Sequence, residues 1–210
     1  MNAPIATEHH PRARKDEILE VATHLFAERG YEGTSMNDVA ERVGMRKASL
    51  FYHFVTKDTL YEAMLDRVLE RLSKAIASAY AGGGCFTERL LAATDAVTTV
   101  LAERPFAARL LLRDALDRGP ALRGRVLDAM MQSLEAGAAF IRAGQDAGEF
   151  VAGDAKQILL TTLGAQLLPF ALGEVVQRYV GTSPFDPSFV AARCAEARKN
   201  VSKLLVAPIT

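Results

Sequence analysis

The sequence predicts an all-α protein, with an N-terminal three-helix unit of about 50 residues followed by a larger helical body, about nine helices in total. Three observations carry that prediction. Ala and Leu recur at intervals of three and four along most of the 210 residues, while Val, Ile and Thr rarely alternate with polar residues. The periodic runs are separated by cap residues, glycines and prolines. Half the residues are hydrophobic, enough to build a core in a chain of this length.

The elements follow in order. The opening MNAPIATEHHPRARK has no apolar core for a signal peptide and reads as a flexible arm over 1–13, with His9 and His10 as tail residues rather than ligands. KDEILEVATHLFAERG places Ile18, Val21, Ala22, Leu25 and Phe26 on one helical face and ends at Gly30. TSMNDVAERVG opens on a capping box, Ser35 as N-cap with Asp38 at the third helical position, and stops at Gly44. A short helix over 46–53 follows, and Thr56 caps a long one running to about Ala81. The run Gly82–Gly84 breaks it, Thr87 starts the next helix, and Pro105 and Gly119-Pro120 mark further boundaries. A helix over about 120–147 ends at Gly148. Asp154 with Gln157 opens a strongly apolar helix to about Val180, kinked by Pro169, and Asp186-Pro187 opens the last helix, to about Leu205. The domains are expected at 14–56 and 57–206.

Charge narrows the function classes. Twenty-five basic residues balance 25 acidic ones, so nucleic-acid binding has to come from a local patch. That patch runs from Arg42 to Lys57, with Arg42, Arg46, Lys47 and Lys57 and no Asp or Glu. Within it, the helix pair 35–43 and 46–53 around Gly44 has the make-up of a helix-turn-helix. Gly44 supplies positive φ, small Ala40 suits a tight crossing, and Val39, Val43, Met45 and Leu50 give a core with Leu25 and Phe26. The second helix then offers Arg46, Lys47 and Ser49 at its groove-entering end, and Tyr52 and His53 near its other end, within reach of phosphates. Lys57 adds a cation and helix N-terminal N–H groups. Lys47 can reach a guanine edge or a phosphate, and the sequence leaves both open. Phe51 and Phe54 read as core, and Arg12, Arg14 and Lys15 as either backbone-touching or solvated.

The marks LFAERGYEGTS, DVAERVG, ASLFYHF and KDTL, in that order across roughly residues 14–65, resemble the DNA-binding region of the TetR family of transcriptional regulators. The resemblance implies DNA contacts from Thr34, Ser35 and Met36 as well as from the second helix, with Ser35 first a cap. It also marks one departure: at Phe51 the family more often has tyrosine, so packing is favoured there over a phosphate contact. A single helix-turn-helix reads few base pairs, so a homodimer on a pseudo-palindromic operator is expected. The resemblance puts that dimer on the last two helices, and QILLTTLGAQLLPFALGEVVQRYV, apolar on nearly every face, is compatible.

The resemblance further implies a small effector among the middle helices. Residues on their inward faces are Met64, Val68, Phe106, Leu110, Met130, Met131, Leu134, Phe140, Leu163, Leu167 and Phe170, with Arg113, Gln166 and Arg142 as polar anchors. The effector would be largely apolar, with an acidic or polar group allowed. The chain is thus expected to be a cytoplasmic, ligand-responsive repressor. A DNA-binding protein of the same fold with a structural or nucleoid role and no ligand is the alternative. A helical enzyme or interaction scaffold is disfavoured: there is no catalytic order of Ser, His and Asp, no metal-spaced His cluster and no phosphate-binding glycine loop. No metal or cofactor is expected. No 18-residue apolar stretch suggests a membrane span, and two distant cysteines, Cys85 and Cys194, suit a reducing compartment.

Overall fold

The computed structural model describes residues 11–117 and 125–206. Among them are ten helices and no strand: α1 (Pro11–Arg29), α2 (Met36–Val43), α3 (Lys47–His53), α4 (Lys57–Ala81), α5 (Phe86–Glu103), α6 (Ala107–Asp117), α7 (Arg125–Asp146), α8 (Ala155–Ala171), α9 (Gly173–Val180) and α10 (Pro187–Leu205). An isolated antiparallel bridge joins Phe150 to Val206. Residues 1–10 of the expected arm, and the Gly119-Pro120 boundary, lie outside the described residues. The chain divides into two compact units, Met1–Met64 and Leu65–Thr210, and the division falls two turns into α4.

In the N-terminal unit the helix ends are tied off by near neighbours. The Ser35 hydroxyl accepts from the Asp38 N–H, and the Asp38 carboxylate accepts from the Ser35 N–H, at 3.2 and 2.8 Å, completing the expected capping box. Gly44 ends α2 with φ of 70°, a conformation that costs a side chain and suits glycine, and the Met45 N–H reaches back to the Ala40 carbonyl at 2.9 Å. Thr56 and Thr59 exchange hydrogen bonds at the start of α4. The core beneath is Ile18, Leu25, Phe26, Val39, Ala40, Leu50, Phe54 and Leu60, with Phe26, Tyr31 and Tyr61 forming an aromatic trio at centroid distances of 4.9–6.1 Å.

The C-terminal unit holds two hydrophobic clusters. One gathers Leu90, Phe140, Ile141, Phe150, Val201 and Leu205. The other gathers Val68, Val97, Leu101, Ala107, Ala108 and Phe170. Here helix ends are tied off locally, by Glu88 at Cys85 and by Asp154 at the start of α8, and also from far along the chain. The Glu149 carboxylate accepts from the Phe86 and Thr87 N–H groups at the start of α5, at 3.1 and 2.9 Å. Those two bonds hold its carboxyl below the usual carboxylate range. Arg89 donates its Nε to the Tyr80 carbonyl near the end of α4, at 2.6 Å, with its guanidinium stacked on Phe86 and Phe140.

The apolar helix expected to reach Val180 is instead two helices, α8 and α9, bent by 80° at Leu172. Pro169 has no N–H, so the Ala165 carbonyl loses its helical partner. Arg193 of α10 takes that place, donating to the Ala165 oxygen at 2.7 Å. The helix survives the proline and breaks three residues later, where Leu172 leaves helical geometry and Gly173 follows. Among the described residues no single helix is long and apolar enough to cross a membrane.

Candidate functional site

The α2–α3 pair forms the first candidate site. α3 buries only Leu50 among its seven residues, so one turn anchors the helix and the rest of its surface is outward. Arg46, which precedes the helix as its N-cap, and Lys47, Ala48 and Ser49 in its first turn are exposed. Tyr52 is 87% exposed, with its ring edge against His53 at 5.6 Å, and Val55 beside it is also exposed. The segment therefore presents cations, a hydroxyl and an aromatic ring on one outward helix, the set that phosphate and base-edge contacts use.

Other expected DNA-contacting residues are placed differently. Thr34 is buried and its hydroxyl bonds the Leu25 and Gly30 carbonyls, at 3.1 and 2.9 Å. Met36 is buried in the α2 core. Neither offers an exposed side chain, because the turn into α2 needs Thr34 to satisfy carbonyls at the end of α1. Ser35 is exposed, but its hydroxyl is engaged with Asp38. Lys57 is half-buried, its Nζ 4.1 Å from the centre of the Tyr31 ring. Tyr31 in turn donates to the Asp58 carboxylate. Lys15 sits over Phe54 and Arg14 pairs with Glu17 at 2.6 Å, while the Arg12 side chain lies outside the described residues.

Phe51 departs from its expected core role. It is 37% exposed, and Lys47, one turn earlier, holds its Nζ 5.7 Å from the Phe51 ring centre. The i, i+4 spacing on α3 makes that contact possible, whereas Phe54, past the helix end, is buried as expected.

The second candidate site is a cavity of about 270 Å³ in the C-terminal unit, lined by residues of both hydrophobic clusters. Leu69, Leu72, Ser73, Ile76 and Tyr80 come from α4 at helical spacing, and Leu90, Thr94, Val97 and Leu101 from α5. Of the expected lining residues, Met130, Leu134, Leu163, Gln166 and Leu167 are in the wall. Val68 and Phe170 pack in the core instead, and Leu110 and Met64 are buried outside the wall, Met64 belonging to the N-terminal unit. Phe106 and Arg113 are half-buried and outside the wall too. Phe140 is core, and Met131 is exposed. The stripes on α4 and α5 were visible in sequence as apolar periodicity. Nothing in that periodicity separates a cavity wall from a filled core.

The wall's polar groups are few and neutral. Thr94 and Thr162 donate to the carbonyls four residues earlier, at 2.9 Å each. Ser73 and Ser133 lie 2.9 Å apart, with Ser133 donating to the Ala129 carbonyl. The Gln166 side chain is 5% exposed, and its Oε1 has no hydrogen-bond partner. Burial raises the Tyr80 phenol to a pKa of about 12, so it stays protonated.

Comparison with known proteins agrees with this picture. The model of bacterial regulatory proteins, tetR family, matches residues 18–64. Over 62 residues the chain is 42% identical to the biofilm operon icaADBC HTH-type negative transcriptional regulator IcaR of Staphylococcus aureus (strain Newman). That match covers 30% of this chain and 33% of IcaR, so the chain spans about a third of the length of the curated relative. Among solved structures, the ketosteroid transcriptional regulator KstR2 of Mycobacterium tuberculosis superposes with a TM-score of 0.76 at 18% identity, covering 98% of this chain and 100% of that one. AibR, solved with isovaleryl coenzyme A and operator DNA, gives a TM-score of 0.72 at 19% identity, covering 91% and 97%. These likenesses extend the shared fold beyond the matched N-terminal unit. Residues 18–64, which contain the helix-turn-helix, thus match the tetR family of bacterial regulatory proteins, and the rest of the chain shares the fold of its solved regulators.

Proposed function

We propose that the protein is a ligand-responsive transcriptional repressor, a homodimer that holds a pseudo-palindromic operator through α3 and lets go when a small, largely apolar effector fills the cavity. The carrying observation is the outward face of α3: Arg46, Lys47, Ser49 and Tyr52 are exposed over a helix anchored by Leu50 alone. His53, Ser35 and Lys57 add phosphate contacts at its flanks, and Thr34 and Met36 contribute through their main chain at the start of α2. The negative regulation in IcaR's name supports repression, and the operator in the AibR complex supports the mode of docking.

Two copies must present their α3 helices about one DNA turn apart, roughly 34–36 Å. An apolar surface suited to pairing is available on the last helices: Leu160 and Leu168 on α8, Val175 and Val180 on α9 and Leu204 on α10 are all exposed. The effector role of the cavity draws support from the ketosteroid in the name of KstR2, largely hydrocarbon, and from the isovaleryl coenzyme A solved with AibR, whose small acyl group is apolar. It also separates this function from a purely structural DNA-binding protein, which needs no cavity. α4 supplies five wall residues and also carries Lys57, so an effector that shifts α4 acts on an element shared with the DNA-binding domain. A coupling of about 1–3 kcal/mol changes affinity roughly 5- to 150-fold. A site in the cytoplasm, where the DNA is, follows from this function.

The test is titration of the purified chain against fragments of its own upstream DNA at two salt concentrations. Tight, sequence-selective binding with a steep salt slope is expected. Equal, weak affinity for all fragments, unchanged in Lys47→Ala, would remove α3 as the reading element.

A further inference from the structure

We propose that the effector is a neutral alcohol: a mostly hydrocarbon molecule of roughly ten to twelve non-hydrogen atoms whose hydroxyl donates to the side-chain amide of Gln166. This rests on the cavity being the effector site and narrows what that site accepts.

Size comes first. A cavity of about 150 Å³ takes benzene, so about 270 Å³ at similar packing takes roughly twice as many atoms. The remaining arguments are electrical. Among the described residues, no Lys, Arg, His, Asp or Glu lines the cavity, and Arg113, expected as a polar anchor, is not in its wall. A carboxylate or ammonium entering it would leave its hydration behind and meet no opposite charge among these wall residues.

The polar groups present also favour a ligand group that can donate as well as accept. Thr94 and Thr162 commit their protons to the Leu90 and Ile158 carbonyls. Ser133 commits its own to Ala129, so the proton shared between Ser73 and Ser133 comes from Ser73. Acceptor lone pairs therefore remain on these hydroxyls while their protons are used, and the wall's Tyr80 phenol, kept protonated by burial, is a donor from which a ligand hydroxyl can accept as well. Gln166 adds the strongest acceptor, an amide oxygen that is buried with no partner, an arrangement that costs stability until something donates to it. The terminal amide torsion is broad and two-fold, so the oxygen can turn to the lumen, the N–H2 group taking the place it leaves. A hydroxyl on a hydrocarbon frame satisfies it, and a carboxylate, which only accepts, does not.

The experiment uses the full chain without DNA and reads displacement of the neutral dye N-phenyl-1-naphthylamine by three probes of similar size: 1-decanol, methyl nonanoate and decanoate. At pH 7, 1-decanol should bind about tenfold tighter than the ester, which lacks the donor, and about 100-fold tighter than the carboxylate. Gln166→Leu should bring 1-decanol down to the affinity of the ester and leave the ester unchanged. Because the three-probe comparison is made on the unsubstituted protein, it stands even if the variant folds poorly. Decanoate or the ester binding as tightly as 1-decanol, no displacement by 1-decanol, or an unchanged 1-decanol affinity in Gln166→Leu would each overturn the proposal. DNA release is measured separately. 1-Decanol that binds as expected yet leaves DNA affinity unchanged upholds the ligand class and removes the effector role. Release of DNA by decanoate in place of 1-decanol does the reverse.

Discussion

Both compact units close helix ends with near neighbours, as at Ser35 and Asp154, but the C-terminal unit adds closures from far along the chain. In the N-terminal unit, α2 is closed by Ser35 and Asp38, three residues apart, and the start of α4 by Thr56 and Thr59, also three apart. In the C-terminal unit, the start of α5 is held by Glu149, 62 and 63 residues away, and the carbonyl freed by Pro169 is taken by Arg193, 28 residues beyond Ala165. The first unit is assembled from local devices around one small core. The second adds to its local caps groups that meet only when the whole unit is folded. The long-range closures lie in the unit that holds the cavity, and local ones suffice for the unit that presents its charge outward.

The largest effect that separates the units is on core volume. Leu50 is fully buried and is the one anchor of α3, so Leu50→Ala should cost about 2–5 kcal/mol and abolish DNA binding with it. Ala93 lines the cavity, so Ala93→Leu places its extra carbons in empty space. Its cost should fall below the ~1–3 kcal/mol of overpacking a filled core, while ligand binding is lost. Denaturant unfolding and dye displacement on both variants check this. A large stability loss in Ala93→Leu would mean that the wall has no room.

Next in size is the outward face itself. Lys47→Ala and Tyr52→Ala remove side chains that contribute little to the N-terminal core, so the unfolding midpoint should stay put. DNA affinity should fall by about 1–3 kcal/mol for a base contact, or lose about one unit of salt slope for a phosphate contact. Measuring affinity at several salt concentrations decides which of the two Lys47 makes.

Smaller again are the two carboxylate caps. Ser35→Ala should cost about 1 kcal/mol of stability in the N-terminal unit. Asp38 and Glu149 are both held below their ordinary values of 3.8 and 4.5: Asp38 by its bonds with Ser35 and then by Arg29, Glu149 by the Thr87 and Phe86 N–H groups. A depressed carboxyl stabilises the fold fully above its unfolded value and loses that contribution as pH falls through the depressed one. Acid titration followed by circular dichroism should therefore show stability flat near neutrality and falling below about pH 4.5. Glu149→Gln should lower the midpoint at pH 7 and flatten the acid limb. An acid limb unchanged in Glu149→Gln would remove the remote cap as a contributor.

The same difference in distance explains what could be read from the chain. The capping box at Ser35 and Asp38, the turn at Gly44 and the cap at Thr56 are signals written within four residues, and the elements around them start and stop where expected. Phe86 rather than Thr87 starts α5: Cys85 is the N-cap, its N–H held by Glu88 at 3.0 Å in a box with no Ser or Thr to announce it, and Glu149, invisible to local pattern, receives the Phe86 and Thr87 N–H groups. The break at Leu172 escaped for a similar reason: Pro169 announced a disturbance, but Arg193 repaired it and moved the break downstream. At the DNA-facing site, residue type and spacing placed Arg46, Lys47, Ser49 and Tyr52 on the outside. They could not show that Thr34 would turn inward to serve the end of α1. At the cavity, an apolar stripe on a helix looks alike whether it faces another side chain or a void, so Val68 and Phe170 read the same as Leu163 and Leu167.

The smallest expected effect lies on the boundary between packing and recognition. Phe51 is neither core nor a phosphate donor: it is partly exposed, lacks a hydroxyl, and lies beneath the Lys47 ammonium at 5.7 Å. An exposed contact of this kind is worth about 0.5–1 kcal/mol. On DNA it acts by limiting the rotamers from which Lys47 starts, so less side-chain freedom is lost on docking. Phe51→Leu keeps the apolar body and removes the ring. It should weaken operator binding by up to about fivefold, through Lys47 alone. In the Lys47→Ala background the same substitution should then do nothing to affinity. A double-mutant cycle measures this directly. Additive losses would show that Phe51 touches DNA or the α3 packing independently. A coupling close to the whole Phe51→Leu effect would make it the residue that holds the recognition lysine in place, a role absent from the N-terminal unit's short-range caps because it acts on a side chain rather than on the backbone.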